Sequence, residues 1–210
     1  MIYKVYSEET EVVPLLTRMK LPRHALLEII SKVAGERANT NDADPPSAVG
    51  YETWRWCVRY SREDQTLRAN KWTTCEQDQI SGIRNEELAI KLAFLGTDSN
   101  TGKQNKSPKN LNERGPASCR LIDANDSQTT FAFVKTDKPK FDLWYLCTYF
   151  CDGYISAEVS RPHSQIGGIV SSFSERIILA RPFEIPGIRR LPKILEEFAD
   201  VPIPKIRRKP

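Results

Sequence analysis

Residues 141–161 read FDLWYLCTYFCDGYISAEVSR, the pattern of a β-hairpin. Two apolar runs flank Asp152-Gly153, a dipeptide that readily takes the φ > 0 conformations of a two-residue type I′ turn. That turn predicts the pairing: Cys151 opposite Tyr154, Phe150 opposite Ile155, Cys147 opposite Glu158 and Trp144 opposite Arg161. Side chains alternate across a strand. One face therefore carries Trp144, Leu146, Thr148, Phe150, Ile155, Ala157 and Val159, a core face. The other carries Tyr145, Cys147, Tyr149, Ser156, Glu158 and Ser160. Its aromatic and polar mixture predicts a face that meets solvent, a partner or a substrate, with Tyr145 and Tyr149 as the candidate interaction residues.

Outward from the hairpin, strand signals lie late and helical signals early. Residues 119–122 (CRLI) and 130–135 (TFAFVK) are strand candidates, and residues 89–95 (AIKLAFL) read as a central strand. Residues 166–170 and 176–179 add short strands, or a turn and a strand, and residues 2–6 a further short one. Leu26, Leu27, Ile29, Ile30 and Val33 form a helical stripe, with His24, Glu28 and Lys32 on the solvated side. Pro22 suits the start of that helix, and Gly35 with Asn39 its end. A second helix is expected from about Ala48 to Leu67, with Tyr51, Trp54 and Val58 on its apolar side and Cys57 alongside. A C-terminal helix is expected over 191–198.

The fold class that follows is α+β: two N-terminal helices packed on a mainly antiparallel β-sheet containing the 141–161 hairpin. The chain reads as one domain over 1–200, with a candidate internal boundary at the turn-rich 39–49 stretch and a basic, proline-containing tail at 201–210. At 210 residues, 40% hydrophobic and 28% charged, it is long enough to bury a substantial core. No apolar run approaches the ~20 residues of a membrane span. The five cysteines (57, 75, 119, 147 and 151) are odd in number and lack a C-x-x-C pair, which fits a reducing cytoplasm.

Net charge is only +4, so its distribution is more informative than its sum. Arg55, Arg59 and Arg62 stand at i, i+4 and i+7 on the second helix, with Trp56 and Tyr60 beside them and Arg68 just beyond. Guanidinium forks match phosphate oxygens two at a time, and neighbouring aromatics can stack on bases. Glu52, Glu63 and Asp64 lie within pairing distance of the same arginines. The long 96–118 loop, with almost nothing to bury, carries Lys103, Lys106, Lys109 and Arg114 among four asparagines. The tail adds Lys205, Arg207, Arg208 and Lys209. These segments predict a non-catalytic nucleic-acid-binding protein, or one part of a larger assembly, that needs no cofactor.

Two other readings stand beside this one. The first is a divergent Mg²⁺-dependent nuclease of restriction or phage-defence type, for which Asp142, Glu158, Asp98 and His163 are the candidate catalytic residues and Glu87 a further carboxylate. The hairpin register counts against an Asp142–Glu158 pair, because Cys147, opposite Glu158, is roughly 17 Å from Asp142 at strand rise. Ser160 also stands where such nucleases place a lysine. The other reading is a protein-interaction module using the hairpin face. A P-loop fails, since Gln104 follows Gly102-Lys103 where Ser or Thr is needed. With only His24 and His163, no zinc spacing exists and no metal site is expected. The Arg161-Pro162 and Arg181-Pro182 pairs predict two strand ends, since proline cannot donate to a ladder.

Overall fold

The computed structural model describes residues 3–41, 43–76, 80–127, 141–151 and 154–184, excluding the side chains of 126–127 and 181–184. Among them, seven strands form one sheet: β1 (Lys4–Tyr6), β2 (Trp72–Cys75), β3 (Gly82–Asn85), β4 (Ile90–Gly96), β5 (Asp142–Cys151), β6 (Tyr154–Ile166) and β7 (Ile169–Glu184). Their order is β1-β7-β6-β5-β4-β3-β2. Helices α1 (Glu9–Arg18), α2 (Arg23–Arg37), α3 (Ala48–Glu63) and α4 (Gln65–Ala69) precede β2, and α5 (Pro116–Ser127) lies between β4 and β5.

The class is α+β, but the sheet is mixed rather than mainly antiparallel, and four helices rather than two occupy the N-terminal half. β4 runs parallel to β5, and β1 parallel to β7. The β4–β5 connection contains α5, and a long crossover returns the chain to the same end of the sheet, which makes the two strands parallel. Residues 119–122, expected to be a strand, lie inside α5. A four-residue apolar run cannot by itself distinguish strand from helix. The expected strand 130–135, the helix 191–198 and the tail fall outside the described residues.

The hairpin register is as expected, from Cys151↔Tyr154 through Cys147↔Glu158 to Tyr145↔Ser160. The Asp152-Gly153 turn itself falls outside the described residues. Prolines do not end the strands, however. β6 continues through Pro162 by shifting register on both sides of it, and β7 extends through Pro182. Bulges accommodate a residue that lacks an N–H. A second hairpin joins β6 to β7 through Gly167 and Gly168, with φ of 59° and 83°. At Gly168 a Cβ would lie 2.7 Å from the Arg114 carbonyl oxygen, so both the conformation and the close approach require glycine.

The sheet divides two cores. On one side α1–α4 pack Leu16, Leu26, Ile30, Val33, Cys57 and Leu67 onto Leu92, Phe94, Trp144, Leu146, Ala157 and Val159. On the other, Ile122 of α5 packs with Ala93, Leu95, Leu143, Tyr145, Cys147, Val170 and Phe173. The second core overturns the expectation for the hairpin's polar face. Tyr145, Cys147, Glu158 and Ser160 are all fully buried, because α5 and the 96–115 loop cover them. Burial pushes the Cys147 thiol well above its ordinary range, and Cys57 in the first core up to about 12.

The second predicted helix is interrupted at Asp64. This residue takes extended backbone, and its carboxylate accepts from the Leu67 N–H at 2.8 Å, capping α4. Among the described residues, no helix is long and apolar enough to cross a membrane.

Candidate nucleic-acid interface

α3 turns Val49, Thr53, Cys57, Val58 and Ser61 inward. Tyr51 and Trp54, expected on that apolar side, are instead 47% and 37% exposed. The phase of the helix is set by the small inward residues. Thr53 accepts from the buried Arg37 at 3.1 Å and donates to the Val49 carbonyl at 2.6 Å, so α3 lies close to α2 there. Tyr51, Trp54, Arg55, Val58, Arg59 and Arg62 consequently form one stripe at i, i+3, i+4, i+7, i+8 and i+11.

The arginines of this stripe are held in different ways. Arg55 lies 4.4 Å and Arg59 5.0 Å from the Trp56 ring centroid, and Trp56 stacks on Tyr60 at 5.1 Å. The Tyr60 hydroxyl donates to Glu36 at 2.5 Å; burial first, then the neighbouring Glu36, pushes its pKa up to about 12. Arg55 also pairs with the half-buried Glu52, and Arg59 with the exposed Glu63, each at 3.0 Å, both arginines being exposed. Such exposed pairs are worth about 0–1 kcal/mol, so an incoming anion can displace them. Arg62 is structural as well: it donates to the Gly82 and Cys75 carbonyls and pairs with Glu76 at 2.7 Å. Arg68 donates to the Arg62 carbonyl at 2.6 Å.

Together these side chains enclose a groove of about 450 Å³. Arg55, Arg59, Arg62 and Arg68 line it with Trp54 and Val58, opposed by Glu63 and Glu76. Guanidinium groups outnumber carboxylates, and Trp54 supplies an aromatic wall. All four helix-region arginines singled out in the sequence thus converge on one site, the last of them across the Asp64 break.

The lysine loop does not join them. It lies on the opposite face of the sheet, over the second core. Arg176 of β7 forms a two-pronged pair with Glu158 of β6 at 2.8 and 2.6 Å, both side chains almost fully buried. The same guanidinium donates to the Lys106 and Lys103 carbonyls at 2.7 and 3.1 Å. Glu158 further accepts from the Gly102 N–H at 2.9 Å and the Ser160 hydroxyl at 2.7 Å. The Asp98 carboxylate turns the loop by accepting from Asn100, and buried Asn110 ties it to the Gly168 carbonyl and the Val170 N–H. Lys103, Lys106 and Lys109 remain exposed, while Arg114, half-buried, sits 5.8 Å over the Tyr145 ring.

The remaining candidates are dispersed. Asp142 pairs with Arg161 through two contacts at 3.0 and 3.1 Å, and Glu158 is committed to Arg176, so the two carboxylates are held apart. Glu87 pairs with Lys20 and Lys71, which lower its pKa to about 2. His163 packs edge-on to Tyr3 at 6.4 Å. Tyr149 is half-buried, and Tyr145 is covered. Sequence reading missed the role of Arg176. Its signal was a single opposite charge in each of two apolar strand runs, AEVS (157–160) and RIILA (176–180).

Set against protein-family models, curated proteins and solved structures, the chain matches none.

Proposed function

We propose that this protein binds nucleic acid through the arginine groove beside α3. The observation that carries this reading is the convergence of Arg55, Arg59, Arg62 and Arg68 on one groove walled by Trp54. Guanidinium groups recognise phosphate oxygens as planar forks, and an adjacent indole offers a surface for a base. The site is narrower than the sequence suggested: one groove, without the loop lysines. The five free cysteines fit a reducing compartment, which for such a protein is the cytoplasm.

Arg55 and Arg59 are the residues to replace, because Arg62 and Arg68 also hold backbone carbonyls of the protein itself. Fluorescence anisotropy with labelled oligonucleotides at low salt should detect binding that weakens steeply as salt rises. The Arg55→Ala/Arg59→Ala double variant should weaken it at least about tenfold and lower the slope of log affinity against log salt by about 2. No binding at low salt, or binding indifferent to both replacements, ends the proposal.

A further inference from the structure

We infer that the groove is built for single-stranded nucleic acid, with Trp54 as the base-stacking residue; this rests on the groove being a nucleic-acid site at all. α3 presents two parallel rows. One is aromatic and apolar, Tyr51–Trp54–Val58, and the other is cationic, Arg55–Arg59–Arg62. Across the rows, Tyr51–Arg55 and Val58–Arg62 stand four residues apart, about 5–6 Å at Cβ, a spacing of the same order as that between a nucleotide's base and its phosphate, and Trp54 lies against Tyr51. The rows could therefore hold a base and its phosphate side by side.

The exposure of Trp54 and Tyr51 points the same way. Their rings touch, with centroids 5.9 Å apart and planes inclined at 42°. Val58 at the groove's base is 7% exposed, so the aromatic row rises from a buried floor to solvent. An indole face beside guanidinium groups is complementary to an unstacked base, and stacking tolerates any base identity.

A duplex suits this site poorly. Its base faces are covered by their neighbours, and only base edges reach the grooves. Nor can α3 enter a major groove as a free-standing helix. It packs against α2 on one side and the sheet on the other, and Arg68 of α4 with Glu76 and Ser81 forms the far wall of the groove. Arg62 fastens that wall through the Cys75 and Gly82 carbonyls.

The test compares labelled mixed-pyrimidine single strands, DNA and RNA in separate arms, with a duplex containing the same sequence, using the full chain at low salt. Single strands of either sugar should bind at least about tenfold more tightly than the duplex. Trp54→Ala should cost single-strand affinity roughly five- to a hundredfold, and Trp54→Phe far less, because a ring face remains. Neither change should alter the salt slope, since no charge is removed, whereas Arg55→Ala/Arg59→Ala should reduce it. Far-UV circular dichroism of each variant matching the parent would place the loss in binding rather than folding. Equal or tighter duplex binding overturns this inference but leaves the arginine groove as a nucleic-acid site. Arginine-dependent binding indifferent to Trp54→Ala has the same meaning. Failure of every oligonucleotide to bind overturns both.

Discussion

Arg176 makes four hydrogen bonds from one guanidinium, two to a carboxylate and two to loop carbonyls. Its charge is buried only because Glu158 is buried with it, and the Gly102 N–H and Ser160 hydroxyl satisfy that carboxylate further. Removing one member of such a pair leaves an uncompensated charge, at a typical cost of about 3–5 kcal/mol. Arg176→Met should destabilise by that order in urea unfolding, and adding Glu158→Gln should restore part of the loss. Trypsin should also cleave the single variant faster at Lys103 and Lys106, whose carbonyls lose their anchor. If unfolding and cleavage both match the parent, the pair is not what holds the loop. The residue scale also shows where sequence reading stopped. Glu158 stood out as a polar residue on a presumed open face, but its partner lies eighteen positions on, beyond a turn whose register was not assigned.

At the scale of elements, the Asn125 side chain ties α5 to the backbone of β5 and β6. Asn125, 1% exposed, donates to the Leu143 and Pro162 carbonyls at 2.9 Å each and accepts from the Leu143 N–H at 3.0 Å. β5 and β6 pair only as far as Tyr145↔Ser160, and a carboxamide continues the ladder where the strands part. In that register Pro162 stands opposite Leu143 and has no N–H to donate, so the carboxamide supplies the partners that buried backbone groups must find. Asn125→Leu would leave three such groups unpaired, each costing about 1–3 kcal/mol. We expect a lowered urea midpoint with an unchanged slope; a change within about 0.5 kcal/mol, typical of an exposed site, would contradict the role assigned to Asn125. Element identity was legible where local chemistry repeated. The α2 stripe and the β5–β6 register followed from periodicity and one turn dipeptide. The β6–β7 hairpin carried an equally local signal, Gly167-Gly168 between apolar residues. β2 and β3, of four residues each, are too short to show a period.

For the whole molecule, the sheet keeps its two basic surfaces apart. The arginine groove belongs to the helical layer and the lysine loop to the layer of α5, with the sheet between them. Replacing Lys103, Lys106 and Lys109 together by Ala should therefore leave oligonucleotide affinity within about twofold at moderate salt, where charges beyond about 10 Å are screened. A loss as large as that from Arg55→Ala/Arg59→Ala would mean that the ligand wraps the sheet edge to reach both faces. By itself the sequence determined the β5–β6 register, the core face of that hairpin, the α2 stripe and the arginine spacing on α3. Each of these depends on residues within a few turns or one tight loop of each other. Tertiary structure alone decided that α5 and the 96–115 loop cover the hairpin's second face. It also decided that β4–β5 and β1–β7 run parallel, that Glu158 meets Arg176, and that Tyr51 and Trp54 face outward. Those outcomes depend on which distant segment buries which surface, and such burial is a property of the folded whole that no short window of sequence contains.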